Sequence, residues 1–382
     1  MNAIVNTKII LEDGIIWDGT LLYEGDTIVQ YGRASDVPVP ENAVCIDAGG
    51  LYTAPGFVDV HNHGGNGHWF YDEPEKAAEY FLSHGQTTVL ATLYLNLDYD
   101  RLITAINTVR DASVKGCARI IKGLYMETPF MKPMGADDSN IKWKNEITPD
   151  QYRGIIDAAG AFVKVWCVAP ERKNIEEIIQ YAKQVNPSAV FSSGHTTANA
   201  EEIYKLKPYG LKNQTHYNDA GQAAPTLAAI KGAGGDEVCL YDEDMYAELI
   251  CDYAGVHVPP FMMKMLAKIK GVDKIILITD SGAFTGEYKE GGPVSVYSPD
   301  LGYDDIGWLA GSRLTMDAAC RNMMTHTGYG LCHVIKFATA NPAKMAGLYD
   351  EVGSVGVGKK ANLILIDDMV NVKRVIFEGI EK

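Results

Sequence analysis

The middle of the sequence alternates short apolar runs with amphipathic segments, and this alternation constrains the fold more than any other feature. Residues 87–91 and 163–168 are examples of the apolar runs, which are typical of strands buried on both faces. Residues 99–114 and 175–185 lie between such runs and have the apolar spacing of helices. Eight strand–helix units occur here, a number that suits a closed barrel better than an open sheet. We therefore predict an α/β fold of the (β/α)8 TIM-barrel type.

The two ends of the chain share a different, β-rich composition. Residues 14–17 near the start and 372–377 near the end are strand-like runs set off by glycine or aspartate. This texture predicts that a small β-sandwich domain is assembled from both termini, residues 1–54 and 350–382. The barrel domain then occupies residues 55–349.

The composition limits the partners and the compartment. The chain contains 34 Lys and Arg against 49 Asp and Glu, a net charge of −15, so we expect no nucleic acid partner. No run approaches the roughly 18 apolar residues of a membrane span, and the start lacks the features of a secretory signal. We therefore expect no membrane association. The seven cysteines are odd in number and form no C-x-x-C pair, which favours the reducing cytoplasm.

Ligand-type side chains follow most of the predicted strands at the point where each strand ends. The ends of parallel barrel strands converge on one face, and that face carries the chemistry in barrel enzymes. Histidine nitrogens and carboxylate oxygens bind divalent cations, zinc above all but also iron or manganese. The sequence therefore predicts a site for one or two divalent metal ions. The residues at these strand ends are His61, His63, Glu127, Glu171, His195, His216 and Asp280.

The spacing within this set has a physical meaning, although single residues stay ambiguous. His61 and His63 lie two positions apart, and alternate residues of a strand face the same side. Taken alone, the pair is a weak signal for a metal, because two hydrogen-bonded surface or core histidines have the same spacing. Glu171 suits either a ligand or a residue that orients a neighbour by hydrogen bonding. The remaining histidines and the cysteines near the barrel ends are expected outside the ligand set: His68, His84, His326, His333, Cys167 and Cys251.

Short motifs around these residues resemble those of the amidohydrolase superfamily and, within it, the N-acetylglucosamine-6-phosphate deacetylases. Residues 54–64, A-P-G-F-V-D-V-H-N-H-G, resemble the first-strand signature, and residues 123–130, G-L-Y-M-E-T-P-F, are similar to the H-L-E-G-P-F segment. Further motifs follow in the family's order, and the resemblance covers nearly the whole chain. They are residues 169–171, 193–198, 215–216, 255–258, 278–281, 338–348 and 355–363.

The resemblance implies a barrel that binds one or two divalent ions. Glu127, His195 and His216 would hold the main ion together with a water molecule. His61 and His63 would hold a second ion. Members of the family differ in how many metals they retain, and the presence of both histidines makes a second site chemically possible here.

The resemblance also implies roles in catalysis and substrate binding. Asp280 would contact the water, act as general base and then pass the proton to the leaving nitrogen. His257 matches the substrate-facing histidine and would stabilise the developing oxyanion together with the metal. Ala220 matches a position whose backbone contacts the sugar. Family members often pair as homodimers, and the loop after Glu127 would complete the partner's pocket.

The sequence departs from the family where the family binds phosphate. The family's arginine after the T-H-x-x-N-A segment is missing, since residues 216–226 contain none. Asp137 stands where a phosphate-binding histidine is expected, and Asp219 replaces an asparagine unless Asn218 is the match. Arginine binds phosphate through bidentate hydrogen bonds that these residues do not reproduce. We therefore expect an unphosphorylated small-molecule substrate. The predicted substrate-binding residues are His257, Asn218, Asp219, Ala220 and Asp137.

Three alternatives stay open. Phosphate could instead be bound by Lys132, Lys142 or Lys144. A cyclic amidase or an N-acyl amino acid hydrolase of the same superfamily would share every ligand and differ only in the pocket loops. Cyclic amidases commonly use a carboxylated lysine at the end of strand four, and Lys164 lies too early in its strand, which favours a deacetylase. A metal-independent barrel that binds or isomerises a sugar would leave the ligand-type strand ends unexplained.

Overall fold

A computed structural model of the chain describes residues 1–132, 141–221, 232–292, 294, 296–304 and 307–382. Within these ranges, eight parallel strands form one sheet in which strands successive along the chain are neighbours. The predicted α/β barrel is therefore confirmed. Barrel strands one to eight are Phe57–Asn62, Gln86–Thr92, Ile121–Met126, Val163–Val168, Val190–Ser193, Leu211–Gln214, Tyr246–Ile250 and Ile275–Ile278.

The barrel closes between its first and eighth strands. The backbone N–H of Asp280 donates to the carbonyl of His61 at 2.9 Å, and the N–H of His63 donates to the carbonyl of Ser281 at 2.8 Å. Closure leaves the sheet without a free edge. It also places the residues that follow strand one beside those that follow strand eight.

Helices lie between the strands and bury one face each. Ile175–Val185 illustrates the rule, because Ile175, Ile178, Ile179 and Ala182 share one face and are buried. None of the described helices is long and apolar enough to cross a membrane. The α-helices are Pro74–Ser83, Tyr99–Ala112, Pro149–Ala159, Ile175–Val185, Ala200–Leu206, Gly235–Tyr241, Pro260–Lys270, Met316–Thr327, Leu331–Phe337 and Ala340–Met345, with 3₁₀ turns at Gly116–Ile120, Gly160–Phe162 and Lys207–Tyr209.

The predicted elements differ from the observed ones mainly at their ends. Ile175–Val185 has the predicted bounds, whereas the helix predicted over 99–114 ends at Ala112. Strand seven, Tyr246–Ile250, gives only a weak signal in the sequence, although all five of its residues are buried. Its signal is weak because a charged residue, Glu248, interrupts an otherwise apolar run.

Strands from both termini form a second sheet, as the β-rich ends predicted. Leu363–Ile366 pairs antiparallel with Tyr52–Pro55, whose chain runs directly into barrel strand one. Ile4, Leu21 and Leu363 belong to the buried apolar cluster of this sheet. Its strands are Asn2–Leu11, Gly14–Glu24, Thr27–Arg33, Val44–Asp47, Tyr52–Pro55, Leu363–Ile366, Val372–Phe377 and Ile380–Glu381.

Two short hairpins stand over the carboxyl ends of the barrel strands. Gly64–Gly65 pairs with His68–Trp69 after strand one, and Leu301–Tyr303 pairs with Leu309–Ser312 after strand eight. The second hairpin is tied to the barrel, because the N–H of Ser312 donates to the carbonyl of Asp280 at 2.8 Å. Both hairpins therefore border the face on which the ligand-type residues meet.

Candidate metal centre and active site

A cavity of about 380 Å³ opens at the carboxyl end of the barrel. At its base the side chains of six residues form what we call the ligand cluster: His61, His63, Glu127, His195, His216 and Asp280. One side is formed by what we call the aromatic wall: Tyr94, Phe284 and Trp308. The other described lining residues are Leu95, Asp219, Ala220, Leu309, Ala310 and Gly311.

Glu127, which follows barrel strand three, lies at the centre of the ligand cluster. Its Oε1 is 2.9 Å from Nε2 of His195 and 3.2 Å from Nε2 of His216. Its Oε2 is 3.3 Å from Nε2 of His63, and Oε1 is 3.6 Å from Nε2 of His61. One carboxylate is therefore shared between two pairs of imidazoles, from strand one and from strands five and six.

Asp280 lies on the side of the cluster formed by strand one. Its Oδ1 is 3.1 Å from Nε2 of His63 and 3.5 Å from Nε2 of His61. The carboxylate also lines the cavity, so it faces both the imidazoles and the space that a small molecule would occupy. This position suits a group that exchanges a proton with a bound molecule.

The donor set fits a divalent metal ion. Nε2 of His195 and Nε2 of His216 are 3.1 Å apart, and the buried Nε2 of His61 has no hydrogen-bond partner among the described residues. His61, His63 and Glu127 each offer one atom within 4.8 Å of the others, and Glu127, His195 and His216 do the same. Imidazole nitrogens and carboxylate oxygens in such sets are ligands of zinc and related divalent ions. A cation would give these converging lone pairs a common partner.

The backbone is strained where three of these side chains enter the cavity. His195, His216 and Asp280 have φ values of 45°, 29° and 46°. Left-handed backbone costs a non-glycine residue roughly 1–3 kcal/mol and persists only where the surrounding structure imposes it. Each of the three is the second residue after its barrel strand, so the turn directs the side chain over the mouth of the barrel.

Opposite charges in the cluster stabilise one another. Burial raises the pKa of Glu127, but the neighbouring imidazoles, His195 first, outweigh burial and hold this pKa well below its ordinary value. Burial lowers the pKa of His216, but Glu127 reverses the effect and raises it to about 10. For His63, the bonds with Asp280 and Glu127 likewise outweigh burial and raise the pKa to about 9. The carboxylates of the cluster therefore stabilise positive charge on the neighbouring imidazoles. A bound cation can supply that positive charge instead.

Glu248, in the middle of strand seven, was missed by the sequence analysis. It is fully buried, and its Oε2 is 3.2 Å from Nδ1 of His61 and accepts a bond from the backbone N–H of His216 at 3.3 Å. Asn213 donates to the other oxygen. Glu248 thus orients two members of the ligand cluster from below. The available signal was a lone charged residue inside a buried strand.

Asp59, also unassigned from the sequence, braces the closure of the barrel. Its Oδ2 accepts bonds from Thr279 Oγ1 at 2.6 Å, Asn62 Nδ2 at 2.9 Å and Gln86 Nε2 at 2.9 Å. Burial outweighs these hydrogen bonds and raises the pKa of Asp59 to about 6. The side chain joins strands one, two and eight just beneath the cluster.

His257 is buried and is not among the described residues that line the cavity. Its Nδ1 is 3.2 Å from Oδ2 of Asp252, whose carboxylate also accepts the backbone N–H of His257 at 3.0 Å. Its buried Nε2 has no partner among the described residues. Burial lowers the pKa of His257, but Asp252 and the charges of Asp219 and Asp280 outweigh it and raise the pKa. Asp252, a residue that the sequence analysis did not single out, therefore fixes this ring.

The structure distributes the other predicted substrate-binding residues unevenly. Asp219 and Ala220 line the cavity. Asn218 is held by its backbone N–H, which donates to Asp236 Oδ1 at 3.0 Å, and it is not among the described lining residues. Asp137 lies outside the described residues.

Glu171 supports the loop after His195. Of the two roles that the sequence allowed for Glu171, metal ligand or orienting residue, these contacts favour the orienting one. Its carboxylate accepts bonds from the hydroxyl of Thr196 and from the N–H of Thr197, the latter at 2.7 Å. Lys132 lies 3.8 Å from the same carboxylate and donates to Thr197 Oγ1 at 2.6 Å. Glu171 therefore stabilises the segment that presents His195 to the cluster.

The histidines and cysteines expected outside the ligand set lie outside it. His68 pairs with Glu73 at 2.6 Å, and His84 lies 3.6 Å from Asp317. His326 contacts the backbone carbonyl of Asp252 at 3.0 Å. The remaining residues of this group are His333, which packs on Tyr329, and the buried thiols Cys167 and Cys251.

Known proteins resemble this chain over nearly its whole length. A profile of the amidohydrolase family matches residues 52–381. An N-acetylglucosamine-6-phosphate deacetylase of Bacillus subtilis is 27% identical over 393 positions, covering 99% of this chain and 94% of the relative. An N-acetylgalactosamine-6-phosphate deacetylase of Escherichia coli O157:H7 is 25% identical and covers 97% of each chain.

Solved structures share the fold over the same length. The crystal structure of an N-acetylglucosamine-6-phosphate deacetylase from Pasteurella multocida has a TM-score of 0.85 at 24% identity, over 100% of this chain and 99% of that one. A deacetylase of the same name from Mycobacterium smegmatis has a TM-score of 0.83, also at 24% identity. The family profile spans the complete barrel and every member of the ligand cluster. Because this match extends from the strand before the barrel to the last strand of the terminal sheet, the chain belongs to the amidohydrolase family of hydrolases.

Proposed function

We propose that the chain hydrolyses the N-acetyl amide of an amino sugar, releasing acetate and the free amine. The observation that carries the proposal is the sharing of Glu127 between two pairs of imidazoles at the base of a substrate-sized cavity. The deacetylases of amino sugar phosphates that resemble the chain over nearly its full length support the amide and sugar assignment.

The ligand cluster divides naturally between two candidate ions. Glu127, His195 and His216 would hold the first, and His61 and His63 would hold a second, with Glu127 shared. Zinc suits these borderline donors best, although iron and manganese are compatible with them. A bound divalent ion lowers the pKa of water and polarises the amide carbonyl.

Asp280 is proposed as the general base and acid. Burial raises the pKa of Asp280, but the charges of His61 and His63 outweigh burial and hold the pKa below its ordinary value. The side chain is therefore a carboxylate at neutral pH and accepts a proton from the attacking water. It then donates that proton to the amide nitrogen, which leaves as a neutral amine.

His257 is proposed as a donor to the amide oxygen. Asp252 accepts from Nδ1 and fixes the ring, which leaves Nε2 available to donate. Negative charge develops on the carbonyl oxygen as the water attacks, so a donor placed in advance lowers the barrier. Asn218, Asp219 and Ala220, with Asp137 in the loop after Glu127, are proposed to position the sugar.

We also propose a homodimer in the cytoplasm. All seven cysteines are free thiols, which suits a reducing compartment. The loop after Glu127 is proposed to approach the cavity of the partner. Sedimentation of the purified protein tests this proposal, and a species of monomer mass at micromolar concentration would contradict it.

A substrate panel tests the proposed activity. Protein stripped with a chelator and then reloaded with zinc, iron or manganese is assayed for amine release from N-acetylglucosamine and N-acetylgalactosamine, each with and without a 6-phosphate. An N-acyl amino acid and a cyclic amide serve as comparison substrates. We expect metal-dependent amine release from an amino sugar. Hydrolysis confined to the N-acyl amino acid or the cyclic amide would replace the proposal by one of those activities.

A further inference from the structure

We propose that the substrate carries no phosphate and that the cavity binds the sugar ring through the aromatic wall. This inference rests on the proposed deacetylation and narrows its substrate class to neutral N-acetylated sugars. The similar proteins from Bacillus subtilis and Escherichia coli are named for 6-phosphate substrates, so the inference separates this chain from them.

The charge of the cavity argues against a phosphate ester. Asp219 lines it outside the ligand cluster, and no lysine or arginine is among the lining residues that the structure describes. A phosphate monoester carries close to two negative charges at neutral pH and is bound in proteins by arginine, lysine or a helix N-terminus. In the sequence, residues 133–140 contain no basic residue and residues 222–231 contain only Lys231.

Two guanidinium groups in loops at the carboxyl end of the barrel donate to backbone carbonyls. Arg313 donates to the backbone carbonyls of Phe284 and Gly286, the first at 3.3 Å. Arg172 donates to the carbonyls of Trp143 at 3.3 Å and Asn145 at 2.9 Å. Each guanidinium therefore stabilises a loop through backbone oxygens, and neither side chain lines the cavity.

The lysines considered as alternative phosphate ligands are not among the described lining residues either. Lys132 is held by Thr197 and Glu171, and together with Lys144 it borders a different cleft. Lys142 has an exposed side chain, and its backbone N–H donates to the carbonyl of Leu95 at 3.3 Å. Among the described lining residues of one chain, a phosphate would thus meet Asp219 and no lysine or arginine.

The aromatic wall offers an uncharged surface on which a sugar ring can bind. Tyr94 and Phe284 have ring centroids 5.6 Å apart, and both pack on Trp69, at 5.2 Å and 5.0 Å. Trp308 lines the same cavity and is 54% exposed. An aromatic face at the mouth of a pocket binds the apolar C–H face of a sugar ring without any charge on the ligand.

The position of Trp308 is set by the same hairpin that contacts the proposed base. The N–H of Ser312 donates to the carbonyl of Asp280, and the N–H of Gly282 donates to the carbonyl of Ser312 at 3.0 Å. At Gly311, with φ of 51°, a Cβ would lie 2.5 Å from the carbonyl oxygen of Asp280. This close approach fixes the hairpin that carries Trp308 against the segment that follows strand eight.

Steady-state kinetics on matched sugars tests the inference. We expect kcat/KM for N-acetylglucosamine or N-acetylgalactosamine to exceed that for its 6-phosphate by at least about tenfold. Preference for the phosphorylated form would overturn the inference and leave the proposed deacetylation standing. If no amino sugar in either form releases amine, the proposed function itself fails and this inference fails with it.

A pair of tryptophan variants tests the aromatic contact separately. Trp308→Ala is expected to raise KM for the unphosphorylated sugar about tenfold, with kcat changed less than about twofold. Trp17→Ala is the matched control, because Trp17 is 66% exposed in the terminal sheet and lies outside the cavity. An unchanged KM in Trp308→Ala would contradict the role of the wall. Equal effects in both variants would contradict it as well.

Discussion

The ligand cluster and the aromatic wall border one cavity but differ in almost every physical respect. The side chains of His61 and Glu127 are 0% and 4% exposed, and each contacts several charged neighbours at fixed distances. Trp308 is 54% exposed and carries no charge. Burial makes the cluster rigid and electrostatically strong, whereas exposure leaves the wall free to contact a ligand.

The two regions have separate proposed roles, amide hydrolysis for the cluster and sugar binding for the wall. The cluster contains what amide hydrolysis requires, namely candidate metal ligands and a carboxylate positioned for proton transfer. In the proposed reaction, the cluster acts on the acetamido group of the sugar. The wall is proposed to contact the rest of the sugar, so a change in the wall would alter substrate preference while the cluster stays intact. Variants of the two regions should therefore change different kinetic constants.

The largest effect is expected in the cluster, from Asp280→Asn. The amide neither accepts nor donates the proton, so kcat should fall about 10²- to 10⁴-fold while metal content and KM stay the same. Turnover with saturating sugar and elemental analysis of the same sample check both parts. Asp157→Asn, which alters an exposed carboxylate that bonds Tyr181, is the control and should be unaffected. Near-normal turnover in Asp280→Asn would remove it from this role.

A smaller effect of a different kind is expected from Glu248→Gln beneath the cluster. Loss of the negative charge next to Nδ1 of His61 should weaken metal affinity about 10- to 100-fold, because such carboxylates orient a ligand and raise its basicity. Competition with a chelator measures affinity, and kcat should recover when metal is in excess. Glu243→Gln, an exposed neighbour in sequence, should bind metal normally. Unchanged affinity in Glu248→Gln would show that His61 needs no such partner.

Asp252→Asn should change the pH dependence rather than metal affinity. To bond both the Asp252 carboxylate and an amide oxygen, His257 must carry a proton on each nitrogen. The wild-type pKa of His257 is raised by Asp252, so the protonated ring persists to higher pH. Removing that charge lowers the pKa and moves the alkaline limb of kcat/KM to lower pH. We expect kcat/KM to fall severalfold at a pH on that limb and to stay near the wild-type value at lower pH.

Two observations would contradict this assignment of Asp252. An alkaline limb that does not move would show that His257 does not act as the protonated donor. A loss of activity equal at all pH values, together with weaker metal binding, would indicate a general disturbance of the site. His326 offers a control, because its Nε2 contacts the backbone carbonyl of Asp252, and its replacement by glutamine should leave the pH profile in place.

The convergence of the six side chains of the ligand cluster could be predicted from the sequence, because barrel topology brings the strand ends together. His195 and His216 come from different strands, but the carboxyl ends of parallel strands must meet at one face of a closed barrel. Knowing where the strands end was therefore enough to bring these side chains together. Asp280 follows from the same rule, because strand eight closes against strand one.

The same reasoning misses residues that act from within a strand or from a hairpin. Glu248 lies in the middle of strand seven, and its partner His61 is 187 residues away in the sequence. Trp308 reaches the cavity only because its hairpin is bonded to Asp280, a contact between segments that periodicity does not reveal. Local patterns report faces and ends of elements, whereas such contacts depend on how loops pack.

The smallest expected effect comes from Phe284→Leu in the aromatic wall. Leucine keeps an apolar surface but loses the ring contacts with Trp69 and Tyr94, so KM for the sugar should rise about threefold with kcat unchanged. Phe261→Leu, on an exposed face of Pro260–Lys270, is the matched control and should leave KM in place. A fall in kcat without a change in KM would place Phe284 functionally with the cluster. Phe284, which lies between Asp280 and Trp308 in the sequence, would then support the proposed base and not the binding of the sugar.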